Sequence, residues 1–317
     1  MPTLATFLPS VKFREISAEE IPQAISAKEL TWVNCVGLSD EEIIKVIKSV
    51  KEIPDFLIED CTVSQRPKLD DYDKLISIIF KIIKFKEMAS TVQLNMIFGK
   101  NYLLTICKEN HPVFDQIRAR LEKHEKRARS LGVGFVAYSI LESIADTYFP
   151  IVERVDDMLE ETEGKLLKAN GIKYIKQILN LRKVTLRLRR NFYPEKEILR
   201  TLGRDRYRPI SEGSMVYFRD TFSDLLSLSE RIDNQREHLS SLMEIYTTTV
   251  SNNLNIIVKT LTVITALILV PGFIAGLYGM NVKLPYADSD NAFPLIMGFI
   301  IFVAISMVIV FRAKKWI

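Results

Sequence analysis

Two long uncharged segments occupy most of the last fifth of the chain. Thr260–Val282 is 23 residues without a charged side chain, and Asn291–Phe311 is a second such run of 21. About 20 apolar residues are enough to cross the hydrocarbon core of a bilayer. We expect two membrane-spanning helices rather than two buried helices of a soluble domain, because no further chain follows that would cover both on all sides.

The charges beside the two spans predict their orientation. Arg312, Lys314 and Lys315 follow the second span, whereas the loop between the spans carries one Lys and two Asp. Because basic residues stay on the cytoplasmic side, we expect both termini in the cytoplasm and the loop outside. Met1–Ser17 contains no apolar core of a signal peptide. The sequence therefore predicts an integral plasma (inner) membrane protein whose first 250 residues are cytoplasmic.

Composition excludes several other classes of protein. Removing the five basic and two acidic residues of positions 254–317 from the 43 and 39 of the whole chain leaves 38 and 37. That balance is not typical of a nucleic-acid-binding surface. The three cysteines lack the spacing of a zinc site or a disulfide scaffold, and no GxxxxGK[ST] loop for nucleotide phosphates is present. We expect no nucleic-acid partner, no nucleotide and no organic cofactor.

Residues 1–110 combine strand and helix patterns and predict an α/β cytoplasmic domain. Ser39 precedes two acidic residues and predicts the start of a helix. Gly99-Lys100-Asn101 predicts the turn of a hairpin. The predicted strands are Leu30–Val36, Leu75–Phe85, Thr91–Ile97 and Tyr102–Ile106.

Residues 111–210 show no strand pattern and predict a helical region. We expect helices over Pro112–Leu131, Val133–Glu163 with a break near Gly164, and Lys165–Asn191. Positions 142–163 hold eight acidic residues and one Arg, and positions 165–190 hold nine basic residues and no acidic one. The two segments are either an antiparallel pair with solvated, mutually attracting faces or a binding surface.

A very long helix is predicted from about Ser211 to Leu277, where Pro271 is the one strong helix breaker. At 1.5 Å per residue, 67 residues span roughly 100 Å, of which the membrane accounts for about a third. A lone helix of this length cannot bury its apolar stripe, so we expect a homo-oligomer. The predicted regions are a stalk and first span over 211–281 (membrane part 256–279), a loop over 282–291, a second span over 292–311 and a tail over 312–317.

The first span carries a polar stripe. Its members recur at three- and four-residue steps, so that they share one helix face. This face either lines a pore in an oligomer or packs against another helix, and periodicity alone does not separate the two. The stripe consists of Asn255, Val258, Thr262, Thr265, Leu269 and Gly272.

The end of the first span resembles the CorA family of magnesium channels and transporters. Phe273–Asn281 reads FIAGLYGMN, and the YGMN ending is the signature of that family at this position. Gln65-Arg66-Pro67-Lys68 resembles the cytoplasmic motif of the family, and Lys314–Ile317 resembles its usual ending. The resemblance covers essentially the whole chain. It implies a funnel-shaped homopentamer with an α/β cytoplasmic domain, a long stalk helix continuing as the pore-lining span, and an outer second span.

The resemblance also assigns residues to the ion pathway. Mg²⁺ gives up its hydration water reluctantly, and a ring of Asn281 amide oxygens at the outer mouth would accept hydrogen bonds from that water. We expect Gly279 to let the backbone turn closely at this mouth. The implied selectivity filter is Tyr278, Gly279, Met280 and Asn281. The implied pore lining is Asn255, Val258, Leu261, Thr262, Thr265, Leu269 and Gly272, with Glu244 at the cytoplasmic neck.

Charged residues outside the pore receive two further roles from the resemblance. A basic collar around the neck would consist of Lys259, Arg312, Lys314 and Lys315, which also fit the ordinary topology signal. Regulatory Mg²⁺ would bind between adjacent subunits at Asp60, with Glu59 beside it, and at Asp220. Loss of that Mg²⁺ would let the pore open, which is negative feedback.

The implied function is a gated, membrane-potential-driven channel for hydrated Mg²⁺, and not an enzyme. The loop departs from the family pattern, because Asp288 and Asp290 replace its usual acidic position and Lys283 opposes them. The preference among Mg²⁺, Co²⁺ and Ni²⁺ is therefore open. The alternatives are a Co²⁺/Ni²⁺ or Zn²⁺ transporter on the same fold, and a membrane-anchored sensor or scaffold.

Overall fold

The computed structural model of the chain describes residues 3–6, 12–26, 29–85, 89–168, 174–280 and 291–316. The chain separates into two compact units. The first contains Met1–Lys165 and Tyr174–Leu242, and the second contains Leu166–Lys173 and Met243–Ile317. The predicted α/β region and most of the predicted helical region therefore share the first unit, and the two apolar spans lie in the second.

A mixed sheet forms the centre of the first unit. In the described residues it has seven strands in the order β2-β1-β3-β7-β6-β5-β4. Strands β3 and β7 are parallel, and every other neighbouring pair is antiparallel. The strands are β1 (Thr3–Thr6), β2 (Lys12–Glu15), β3 (Thr31–Val36), β4 (Lys68–Asp71), β5 (Ile76–Phe85), β6 (Ala89–Phe98) and β7 (Tyr102–Cys107).

The sheet is covered on both faces, which explains its isoleucine-rich strands. Ile76 to Ile83 of β5 are all buried, including Ser77 and Lys81. A strand buried on both faces reads as a continuous apolar run rather than an alternating one. One face packs against three short helices, α1 (Ile21–Ser26), α2 (Asp40–Ser49) and α3 (Leu57–Thr62).

The predicted strands and the helix start at Ser39 are confirmed. Ser39 Oγ accepts the Glu42 backbone N–H at 3.3 Å, and Glu42 Oε2 accepts the Ser39 N–H at 2.8 Å. This reciprocal capping box satisfies two backbone donors at the start of α2. The hairpin between β6 and β7 turns through positions 99–101, as the sequence predicts.

The helical region has more breaks than the sequence predicts. The helix expected over positions 112–131 is two helices, interrupted at His124. The helix expected over positions 133–163 is interrupted at Thr147, and its second part continues through Gly164. Pro150 explains the interruption at Thr147, because in a continuous helix its ring would clash with the carbonyl of Asp146. These helices are α4 (Val113–Lys123), α5 (Glu125–Leu131), α6 (Val133–Asp146) and α7 (Tyr148–Lys168).

The helix predicted from position 165 to position 191 is also placed differently. It is α8 (Ile175–Arg204), which continues past Asn191 and includes Pro194. Its residues contact β4 and β6, and residues of α6 contact β7. Within the described part of the chain, Asp156 and Glu163 of the acidic helix α7 pair with Arg231 and His238, which lie beyond α8, and not with the basic residues of α8.

The long helix is confirmed. It is α9 (Glu212–Tyr278), which is 67 residues without interruption, including Pro271. In the first unit it binds α7 through Arg231 and Asp156 at 2.7 Å, and α8 through Arg219 Nε and the Gly203 carbonyl at 3.0 Å. The last helix, α10 (Ala292–Ala313), corresponds to the predicted second span.

Candidate ion pathway and regulatory carboxylates

Two helices of the described chain are long and apolar enough to cross a membrane, α9 and Phe293–Ala313 within α10. Only 6% of the most apolar stretch of α9 and 0% of that of α10 is buried. The core helix of a soluble protein is mostly buried, because exposing its apolar surface to water is unfavourable. The exposure of both helices therefore disfavours the soluble-core interpretation.

One face of each apolar helix is less exposed than the rest. On α9 these positions include 263, 266, 267, 270, 271 and 274, and on α10 they include 296, 300, 303 and 307. Both sets follow the three- and four-residue spacing of a single helix face. Val263 is the most covered, with 5% of its surface exposed. We infer that these two faces are the contact between the spans.

The predicted pore stripe lies on a different face of α9. All six of its members, together with Leu261, are exposed in the single chain. At 100° per residue the centre of the stripe is about 130° around the helix from the covered face. The stripe is therefore not the surface that packs against α10. This face remains exposed for contact with another subunit or for lining a pore.

Threonine hydroxyls on this helix bond back to its own backbone. Thr262 Oγ1 donates to the Val258 carbonyl at 2.8 Å, and Thr260 Oγ1 donates to the Ile256 carbonyl at 2.9 Å. With its proton used in this way, the Thr262 oxygen keeps lone pairs that accept hydrogen bonds from elsewhere. The water around a hydrated cation donates such bonds.

The helix ends at the predicted filter. Gly279 N–H donates to the Ala275 carbonyl at 3.0 Å, and Met280 N–H donates to the Leu277 carbonyl at 3.3 Å. A Cβ added to Gly279 would lie 3.4 Å from the nearest atom, the Ala275 oxygen, which is an ordinary contact. A side chain at this position would therefore meet no close contact within the single chain. Asn281, Asp288 and Asp290 lie outside the described residues.

The predicted collar and neck residues are accessible. Lys259, Arg312, Lys314, Lys315 and Glu244 are all exposed. Past α10, the ring of Trp316 stacks on that of Phe311 with centroids 5.8 Å apart. The backbone N–H of Trp316 donates to the Phe311 carbonyl at 2.9 Å. The chain therefore folds back on α10 around Lys314 and Lys315.

Asp60, a predicted regulatory ligand, already has a cationic partner. Lys68 Nζ lies 2.8 Å from Asp60 Oδ2 and 2.9 Å from Asp70 Oδ2. The Asp60 side chain is only 13% exposed, so this ion pair is partly shielded from water. Burial alone would lower the pKa of Lys68, but the two carboxylates raise it above its ordinary value. Lys68 therefore stays charged and neutralises Asp60. Glu59 is exposed beside it.

Lys68 is the last residue of the motif Gln65–Lys68, and the sequence alone predicts no function for it. The available signal was a lysine eight residues after the predicted ligand, in the first position of β4. Only the turn from α3 into β4 shows that the two side chains meet.

Asp220 lies on an exposed part of α9, close to other carboxylates. Burial raises the pKa of Asp224, and the charges of Asp220 and Asp146 raise it further. Mutual repulsion among carboxylates is what a bound divalent cation relieves. The described residues contain no group of three or more His, Cys, Asp or Glu that is arranged to hold a metal ion. Asp60 and Asp220 have no described contact with each other, so one chain provides no complete metal centre.

Comparisons with known proteins agree with this arrangement. A family model described as CorA-like Mg²⁺ transporter protein matches residues 27–315. The Cobalt/magnesium transport protein CorA of Methanocaldococcus jannaschii is 30% identical over 309 residues, which cover 96% of this chain and 95% of that protein. The protein of the same description from Thermotoga maritima is 26% identical, over 96% of this chain and 90% of its own length.

The fold also matches a solved structure over its full length. The complete structure of the CorA magnesium transporter from Methanocaldococcus jannaschii superposes with a TM-score of 0.84 and 27% sequence identity. The match covers 100% of this chain and 99% of that one.

Proposed function

The chain belongs to the family of CorA-like Mg²⁺ transporter proteins, and we propose that it forms a gated homopentameric channel for entry of hydrated Mg²⁺ into the cell. Members of this family are transporters of divalent cations and not enzymes, and two apolar helices fit an inner-membrane protein. The observation that carries the proposal is the exposed polar stripe of α9, on a face that does not pack against α10.

Five copies of this stripe around an axis would form a pore. Thr262 and Thr265 would offer hydroxyl oxygens to the water of the ion, and Val258, Leu261 and Leu269 would close the path by excluding water. Selection would occur at the outer mouth, where Asn281 accepts hydrogen bonds from the hydrated ion without the tight binding of a carboxylate. With the loop outside and both termini in the cytoplasm, the membrane potential drives a divalent ion inward by about 4.6 kcal/mol per 100 mV.

Regulation would depend on a second set of Mg²⁺ sites between subunits. Asp60 of one subunit, with Glu59 beside it, and Asp220 of the next would share a bound ion. Burial raises the pKa of Asp224, and the nearby charges of Asp220 and Asp146 raise it further. A cation bound at Asp220 would relieve the repulsion among these carboxylates. Intracellular Mg²⁺ would then hold the subunits together and close the pore.

The relatives whose names include cobalt support a second candidate, a Co²⁺ transporter on the same fold. Co²⁺ differs from Mg²⁺ mainly in binding nitrogen and oxygen ligands more tightly when it contacts them directly. A site that contacts only the water around the ion makes no such direct bond, so it would discriminate between the two ions weakly. The same flux experiment separates the two candidates.

The test is divalent-cation flux into liposomes that contain the purified full-length protein, with Asn281→Ala beside it. We expect saturable Mg²⁺ flux in the wild type, loss of at least 90% of it in Asn281→Ala, and a pentameric mass for both proteins. Ser306→Ala on α10 is the control, because its hydroxyl bonds only to the Phe302 carbonyl at 2.8 Å. Normal flux through Asn281→Ala would refute the filter, and flux of Co²⁺ without Mg²⁺ would favour the second candidate.

A further inference from the structure

A cleft lined by basic side chains lies inside the first unit, between α8 and the edge of the sheet that ends in β4. Its volume is about 740 Å³, which is within the range of small-molecule sites. Five of its eleven lining residues are basic, and no carboxylate is among the eleven. The basic residues are Arg66, Lys68, Lys81, Arg187 and Arg190.

The five cations do not contribute equally. Lys68 is neutralised by Asp60 and Asp70. Arg66 and Arg190 are exposed, and neither forms an ion pair within the described part of the chain. Arginine presents a planar fork of donors that matches the oxygens of a phosphate. The two arginines come from opposite sides of the cleft, one before β4 and the other on α8.

Lys81 makes the floor of the cleft unusual. It is only 5% exposed, and its ammonium donates to two neutral acceptors, Ser64 Oγ at 3.3 Å and Gln93 Oε1 at 2.8 Å. The Glu195 carboxylate accepts the backbone N–H of Lys81 at 2.9 Å, and not its ammonium. Burial lowers the pKa of Lys81, so its charged form is held at a cost. A bound anion would offset that cost.

We propose that this basic cleft binds the phosphate group of a small anionic ligand. Arg66 and Arg190 would hold the phosphate oxygens from the two sides, with Lys81 below them and Arg187 beside Arg190 on α8. Charge-assisted hydrogen bonds of this kind are about twice as strong as neutral ones. Free phosphate esters and phospholipid headgroups share this chemistry.

The first test is calorimetric titration of inorganic pyrophosphate into the full-length protein, in a neutral detergent without Mg²⁺. We expect saturable binding of one pyrophosphate per chain, weakened at least tenfold by Arg66→Gln with Arg190→Gln. Both arginines are exposed, so the double variant should unfold at the wild-type temperature without ligand. Pyrophosphate should raise that temperature in the wild type only, because a ligand of the folded state stabilises it.

The matched control removes two positive charges from a second cleft of the same unit. Lys51→Gln with Lys100→Gln changes the lining of that cavity of about 710 Å³, and we expect it to alter pyrophosphate binding less than twofold. Phosphatidylglycerol in mixed micelles tests whether the natural ligand is a free phosphate ester or a lipid headgroup. Displacement of pyrophosphate by this lipid, but not by phosphatidylcholine, would mean that the site binds a headgroup. Failure of both pyrophosphate and phosphatidylglycerol to bind, or equal weakening in the two double variants, would overturn the proposal. None of these outcomes depends on ion transport.

Discussion

At the residue scale, the first unit contains a buried carboxylate that joins the sheet to two helices. Glu195 on α8 is fully buried and accepts the Lys81 N–H at 2.9 Å and the Tyr148 hydroxyl at 3.1 Å. The single hydroxyl proton of Tyr148, at the start of α7, is shared between Glu195 and the Lys81 carbonyl. Burial raises the pKa of Glu195 well above its ordinary value. The ionised form is therefore unfavourable, although its hydrogen bonds fix the position of α8.

This burial predicts a pH-dependent effect of Glu195→Gln. A raised pKa means that the folded chain binds this proton more tightly than the unfolded chain, so stability falls as pH rises above the unfolded value of about 4.3. Glutamine keeps an acceptor for Lys81 and has no charge. We expect Glu195→Gln to melt higher than the wild type at pH 8, with the difference shrinking towards pH 5.

Thermal unfolding of the full-length protein across this pH range measures the effect. Glu197→Gln is the control, because Glu197 is exposed on the same helix and pairs with Arg200. A melting difference for Glu195→Gln that stays constant between pH 5 and pH 8 would contradict the assignment.

At the element scale, the polar stripe of α9 and the covered face that we infer to pack against α10 lie on different sides of the helix. The helix is continuous through Pro271, which a membrane helix tolerates when neighbouring groups satisfy the freed carbonyl. Thr260 and Thr262 each donate a side-chain hydrogen bond to the carbonyl four residues earlier. The two residues lie about 160° apart around the helix. They therefore provide a matched pair for testing which face the ion meets.

We expect Thr262→Val to reduce Mg²⁺ flux about tenfold, which corresponds to about 1.4 kcal/mol of lost stabilisation of the passing ion. Valine has nearly the shape of threonine but no oxygen for the water of the ion. Thr260→Val should stay within twofold of the wild type. Flux into liposomes at equal protein content measures both variants. Equal effects of the two substitutions would mean that the stripe does not face a pore.

At the scale of the whole molecule, the proposed regulation would depend on contacts between subunits as well as on contacts within one chain. Asp60 is paired with Lys68, so the proposed Mg²⁺ ion shared with a neighbouring subunit would have to displace that ammonium. If regulation follows the proposed scheme, Lys68 sets how much intracellular Mg²⁺ closes the channel. Removing its charge leaves Asp60 and Asp70 free to attract the cation.

We therefore expect Lys68→Met to lower the Mg²⁺ concentration for half-inhibition about fivefold, equivalent to about 1 kcal/mol for a partly shielded ion pair. Inhibition of flux by Mg²⁺ on the cytoplasmic face of the protein in liposomes measures this. Lys84→Met is the control, because Lys84 pairs with Glu109 at 2.5 Å and with no predicted ligand. An unchanged or higher half-inhibiting concentration would show that Lys68 does not compete with the regulatory ion.

Local sequence determined the elements that depend on local interactions. Four of the seven described strands (β3, β5, β6 and β7), the start of α2 at Ser39 and the long helix were predictable, because side-chain periodicity and capping act within a few residues of the chain. The four-residue strands β1, β2 and β4 were not predicted. The same reasoning missed the break at Thr147, since Gly164 is the more conspicuous breaker and Pro150 acts on a carbonyl four residues earlier. The membrane spans were also predictable, because their length and lack of charge are properties of a single segment.

Only the tertiary structure decided which distant side chains meet. Lys68 pairs with Asp60, the Glu195 carboxylate accepts the Lys81 backbone N–H, and Arg66 and Arg190 line one cleft, although the members of each pair are separated by eight to more than a hundred positions. Ion pairing and desolvation depend on distance and burial, and a sequence specifies neither directly. The sequence by itself thus determined the architecture and the family of the protein. The tertiary packing decided which carboxylate is already neutralised. It also decided where positive charge in the basic cleft remains uncompensated.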